Sequence, residues 1–251
     1  VDTATAQTLI RLNQQFYQTF AKQFSATRQQ IQPGVQKVIR QIPQRSRILD
    51  LGCGNGKLWQ RLVEQGFQGE YAGLDFSDEL LDVAAQQASQ TIARRPEISH
   101  PLFIQADLTD KGWENNAPQP AYDFVLAFAV LHHLPGGPTV IQTLQQIHRF
   151  LAPGGKFVFS VWQFLNSPRL RERIQEWSTI GLSDNQVEPG DYLLDWRQGG
   201  HGLRYVHHYD PDELRRLATR CGFVSTEEFL SDGKGGNLSL YQTWILENVI
   251  V

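Results

Sequence analysis

The 251-residue chain contains no methionine, only two cysteines, and no apolar run long enough to cross a bilayer. Each absence removes a class of protein. A membrane helix needs about 18 or more consecutive apolar residues, and the polar start Val1 to Gln7 is not that of a signal peptide. Cys53 and Cys221 form no spaced framework, which argues against disulfides. The missing initiator methionine suggests a trimmed or processed start, and the expected location is the cytoplasm. With 41% hydrophobic residues, the length suits one decorated domain, expected over 1–251. Acidic residues are scarce at the start. Through Arg47 seven basic residues face the single acid Asp2, a balance of +6 that leaves −9 for the rest. A basic helical arm over 1–46 could face nucleic acid, while charge alone favours the solvated face of a helix.

What the chain does have is Ile48-Leu49-Asp50-Leu51-Gly52-Cys53-Gly54-Asn55-Gly56, an apolar run ending in an acid and three alternating glycines. Glycines at a strand-to-helix turn let a ligand approach the main chain without meeting a Cβ. A dinucleotide fingerprint would need a third glycine where Lys57 stands. A phosphate-binding loop fails as well, because Gly52 to Gly56 is one residue short and Leu58 replaces the magnesium-binding hydroxyl.

Strand candidates are Arg47–Leu51, Tyr71–Asp75, Leu102–Ala106, Phe124–Phe128, Lys156–Trp162, Val224–Leu230 and Ser239–Leu246. Helices are expected over Lys57–Gln65, Asp78–Ala93, Pro138–Leu151, Ser167–Trp177 and Pro211–Cys221, with a breaker cluster at Ala152-Pro153-Gly154-Gly155. This alternation predicts an α/β fold with a mostly parallel sheet. Residues 163–203 read as an insertion or lid, irregular from Gly181 to Gly202.

Asp75 closes the second strand and Asp107 follows the third, where open α/β sheets bind ligands. A carboxylate can accept two bonds from vicinal ribose hydroxyls. Asp75 could instead cap the next helix, although Ser77 or Asp78 would serve there. With the Asp50 to Gly56 turn, these acids resemble the motifs of class I S-adenosylmethionine-dependent methyltransferases. The resemblance extends through Tyr122-Asp123-Phe124-Val125, Leu131-His132-His133-Leu134 and the turn ending at Gly155. It implies a Rossmann-like, seven-stranded sheet ending in an antiparallel hairpin, with S-adenosylmethionine as cofactor. By the same resemblance, Asp50 and Gly52 hold the methionyl end and Asp107 and Leu108 the adenine, with Asp75 at the ribose, and Gly54, Asn55, Gly56 and Phe76 bind the cofactor as well. The backbone at Phe128 and Ala129 closes over the ligand.

A narrower resemblance rests on Phe16-Tyr17, Phe20 to Arg28 with its Phe24-Ser25-Ala26-Thr27-Arg28 turn, Ser160-Val161-Trp162, Gly190 to Trp196 and Arg204-Tyr205-Val206-His207. These segments are similar to the tRNA wobble-uridine carboxymethyl methyltransferases, which esterify a carboxymethyl group. Tyr205-Val206-His207-His208 and Gly236 to Tyr241 depart from that family's pattern. The resemblance implies tRNA as partner and a small zinc-binding activator protein. A carboxylate acceptor is ionised at pH 7 and needs a cationic clamp, for which Arg28 and Arg204 are candidates, or else they make surface salt bridges. An amine or phenol acceptor would need a base, with His132, His133, His207 and Tyr205 as candidates. The alternatives are a small-molecule O- or N-methyltransferase and a non-catalytic S-adenosylmethionine-binding module. No metal site is expected, since histidines 132, 133, 201, 207 and 208 match no ligand spacing.

Overall fold

The strand that precedes the glycine turn, Arg47–Leu51 (β1), is buried at every residue but the first, as an apolar run covered on both faces requires. The computed structural model describes residues 1–27, 30–118, 121–197 and 200–247, with the side chains of 21–27 outside that description. In chain order the helices are α1 (Thr3–Thr27), α2 (Pro33–Ile39), α3 (Lys57–Glu64), α4 (Asp78–Arg94), α5 (Gly137–Phe150), α6 (Pro168–Arg171) and α7 (Pro211–Arg220). The further strands are β2 (Glu70–Asp75), β3 (Leu102–Gln105), β4 (Tyr122–Phe128), β5 (Leu151–Trp162), β6 (Ile174–Gln175), β7 (Asp191–Trp196), β8 (Gly202–His207), β9 (Phe223–Ser231) and β10 (Ser239–Leu246).

Seven strands form one sheet in the order β3-β2-β1-β4-β5-β10-β9. The first five run parallel, while β10 pairs antiparallel with both β5 and β9. This is the expected architecture. Alternation along each strand divides two cores. Ile48, Tyr71, Leu126 and Val158 face α2 and α3, whereas Leu49, Ala72, Val125 and Phe157 face α5 and α7. The chain runs from β1 through β2 to β3 on one side and resumes at β4 on the other. Ligands bind outside the carboxyl ends of strands at such a switch point.

The insertion differs from its sequence reading. Only Pro168–Arg171 of the expected helix at 167–177 is α-helical, 174–175 is a strand, and Trp177 opens a 3-10 turn. The stretch expected to be irregular holds β7, and β6-β7-β8 form a small antiparallel sheet. Leu193 and Tyr205 of this sheet pack against Leu9 of α1, and Trp196 against Phe16. Its strands were hidden because Gly, Asp and Gln around them masked a short alternation that only packing on α1 completes. The breaker cluster at 152–155 lies inside the span of β5, where Gly154 has a φ of +78° and the pairing with β4 shifts register.

Two of the basic residues counted with the arm lie on elements other than α1. Val35, Val38 and Ile39 of α2 are buried in a sheet core, Lys37 sits 3.7 Å over the Phe229 ring, and Arg47 opens β1 at the end away from the glycine turn. Arg28 and the side chain of Lys22 lie outside the described residues.

Candidate active site

The turn after β1 is stitched to β2 by main chain: Gly52 and Cys53 both donate to the Leu74 carbonyl, at 2.7 and 2.9 Å. Gly54 has a φ of +54° and open space where a Cβ would stand. Gly56 has a different reason to be glycine. At a φ of +71° its Cβ would come within 2.9 Å of Ala84 and 3.0 Å of Phe103, so it serves packing and lines neither cavity described below.

Three acids surround the turn. Asp50 is 3% exposed and accepts a hydrogen bond from the Tyr71 hydroxyl. Burial pushes its carboxyl up to about 7; the Tyr71 bond opposes this and the nearby Asp75 adds to it. Asp75 accepts from the Gly54 amide at 2.8 Å and from the Ser77 amide at 3.0 Å, tying the turn to the end of β2. Burial raises its carboxyl as well, against those backbone bonds. Ser77 is the N-cap of α4, accepting from the Leu80 amide, so Asp75 is not needed there. Asp107 accepts from the Thr109 amide and hydroxyl at 2.8 and 2.6 Å, and from Gln14 at 2.6 Å.

Two cavities meet at this turn and share Gly52, Gly54, Leu80 and Phe128. The first, bounded by Asp75, Phe76, Asp107, Leu108, Ala129 and His133, has α1 along it through Ile10, Asn13, Gln14 and Tyr17. The second holds Asp50, Cys53, Asn55 and Lys57. Ala129, just past β4, is a non-glycine residue at a φ of +58°. Its amide donates to both the carbonyl and the hydroxyl of Ser160, each at 3.1 Å, which holds this sparsely populated conformation in place.

The candidate acceptor residues separate. His133 lies at the first cavity, with Nδ1 3.1 Å from the Tyr205 carbonyl and Nε2 2.6 Å from the Tyr17 hydroxyl. A carbonyl can only accept, so Nδ1 carries the proton and Nε2 accepts from Tyr17. His207 is elsewhere, joining Asp191 (2.7 Å) of β7 to Glu213 (3.0 Å) of α7. Burial alone would lower its pKa, but these two carboxylates outweigh it and bring it to about 9. An imidazolium fixed in this way is a staple, and its proposed role as base gives way to that one. Arg204 is buried, its guanidinium 4.5 Å from the Trp162 ring centre and 5.3 and 5.4 Å from those of Phe16 and Trp196. It lines neither cavity, because its position on β8 directs it into that aromatic cluster. Gln14, Tyr17 and Thr109 escaped the sequence reading as site residues. Gln14 and Tyr17 sit three apart on α1, but only the docking of α1 shows which face meets the cleft.

The donor set fits an adenosyl amino acid bearing positive charge. A buried carboxylate poised near neutrality suits a cation, and acids at the ends of β1 and β2 and beyond β3 line two cavities that also carry apolar side chains such as Leu80 and Phe128. Fold and site together define a class I S-adenosylmethionine-dependent methyltransferase.

Comparison with known proteins agrees. The chain belongs to the methyltransferase-domain family Methyltransf_23, matched over residues 23–228. It is 30% identical over 229 residues to the tRNA (carboxymethyluridine(34)-5-O)-methyltransferase of Schizosaccharomyces pombe, covering 83% of this chain and 86% of that protein. Trans-aconitate 2-methyltransferase of Acidovorax sp. is 35% identical over 126 residues, 50% of this chain and 42% of the relative. Among solved structures, a methyltransferase from Methanosarcina mazei superposes with a TM-score of 0.64 at 19% identity, covering 86% of this chain and 98% of its own. The complex of DhpI with S-adenosylmethionine has a TM-score of 0.63 at 19% identity, covering 94% and 97%.

Proposed function

We propose that the protein transfers a methyl group from S-adenosylmethionine to a carboxylate oxygen, the acceptor being the carboxymethyl group of a tRNA wobble uridine. The observation that carries this reading is the similarity to the Schizosaccharomyces pombe enzyme over most of both chains. The two relatives cited by name both carry acceptors that bear carboxylates, which supports the same chemistry.

In this reading Asp50, Asn55 and the amides of the glycine turn hold the methionyl end, Asp75 and Phe76 the ribose, and Asp107 and Leu108 the adenine. Bound there, the cofactor supplies a methyl group made electrophilic by a sulfonium. A carboxylate acceptor is ionised at pH 7, so the protein has no proton to remove. Its work is to orient the acceptor and exclude water. Phe128, Val130 and Leu134 give the first cavity an apolar lining in which opposite charges attract more strongly than in water. Arg204 contributes from behind, fixing the aromatic cluster beside Tyr205, whose carbonyl orients His133.

One observation favours a second reading. The first cavity is lined by Tyr17 and His133, joined hydroxyl to Nε2, a hydroxyl–imidazole pair that a base-catalysed methylation of a small phenol or amine would use. Labelled cofactor separates the two. The first reading expects label in tRNA carrying the carboxymethylated wobble uridine, tested with and without a small zinc-binding partner protein. At saturating cofactor the rate should be flat from about pH 6 to 8. Label confined to small metabolites, with a rate rising through the histidine range, would establish the second reading.

A further inference from the structure

The second cavity carries charges of both signs. Asp50 lines it on one strand end, and Lys57, the first residue of α3, lines it with Asn55, Gln30 and Gln32. Among the described residues Lys57 makes no ion pair, and its side-chain hydrogen bond, to Gln60, is long at 3.4 Å. Among the described residues the Asp50 carboxylate accepts from the Tyr71 hydroxyl and makes no ion pair. A cavity that holds an acid and a base not paired with each other suits a ligand bearing both charges, and an α-amino acid is the smallest such ligand. Among the described residues that line the neighbouring cavity, with Asp75, Phe76 and Asp107, there is no lysine or arginine.

We propose that Lys57 anchors the α-carboxylate of the cofactor's methionyl end while Asp50 takes its ammonium, so that the second cavity selects an intact amino acid. The proposal rests on the cofactor reading and adds a residue to it. The Lys57 side chain can extend over the turn because Gly54 leaves open space above the main chain. The pairing also gives a reason for a lysine at the position where a dinucleotide fold would need glycine.

Calorimetry with three ligands tests it: S-adenosylmethionine, its decarboxylated analogue, and 5′-methylthioadenosine, which has no amino-acid end. Lys57→Met should weaken S-adenosylmethionine about tenfold or more and leave the other two within about twofold. Lys57→Arg should restore most of the loss. Equal weakening of all three ligands would make Lys57 a support for the turn and overturn the proposal. So would unchanged affinity for S-adenosylmethionine, including the case where only the acceptor KM rises. Failure of the unmodified protein to bind any of the three would instead remove the cofactor reading itself.

Discussion

Asp50 shows how one residue links burial, charge and ligand. A carboxyl raised to about 7 loses its proton only near neutrality, and a cation beside it favours the ionised form. Cofactor affinity should therefore fall as pH drops below 7, by up to about tenfold per pH unit, with protons released on binding between about pH 5 and 7. Calorimetry in buffers of different ionisation enthalpy measures that release, and Asp50→Asn should abolish it. Without ligand the sign reverses. The folded value of about 7 lies above the ordinary 3.8, so the folded chain holds an extra proton between them, and this group's contribution to stability declines as pH rises through that window. Asp75 acts through geometry. Asp75→Ala should weaken S-adenosylmethionine by about 1.5–3 kcal/mol and lower Tm, because the Gly54 and Ser77 amides lose their acceptor.

Helix α1 and the small sheet act as one element. Asn13 accepts from the Tyr205 amide at 2.8 Å and donates to the carbonyls of Tyr205 and His133, both at 3.1 Å. One buried side chain thus joins α1, β8 and the segment after β4. Asn13→Ala should cost about 1–3 kcal/mol in urea unfolding, since it strands a buried amide. It should also loosen the Tyr17–His133 contact. At the C-terminal end of β8, His207 joins β7 to α7. Its folded pKa of about 9 exceeds the ordinary 6.5, so its stabilisation is complete below 6.5 and is lost as pH rises through about 9. His207→Gln should accordingly lower Tm more at pH 6.5 than at pH 10, which differential scanning calorimetry can follow.

For the whole molecule, the decisive question is what reaches the first cavity. If tRNA does, its affinity should fall as salt rises, because neutralised phosphates release counterions. The scattered placement of Lys37 and Arg47 makes a specific expectation possible. Lys37→Ala should leave that salt slope unchanged, since its ammonium is engaged with Phe229 on an edge strand. Filter binding across a salt series measures the slope.

The sheet was legible because its evidence is local. A run such as Ile48 to Leu51 followed by glycines states a buried strand and a tight turn within nine residues, and the acids at 50, 75 and 107 follow directly from the strand ends. Residues that cross-link distant segments were not legible. Gln14 reaches Asp107 and Tyr17 reaches His133 across more than 90 positions of sequence, and no pattern within α1 announces either partner. Histidine and arginine were the most ambiguous, because their chemistry permits catalysis, stapling or packing alike. His133 at a cavity, His207 between two carboxylates and Arg204 among three aromatic rings read as one class in sequence. The chain's own order of apolar runs, glycines and acids determined the sheet and the class of enzyme, because backbone pairing and burial depend on periodicity. Tertiary structure alone decided which polar groups meet, because that depends on how α1 and the inserted sheet dock over the cleft.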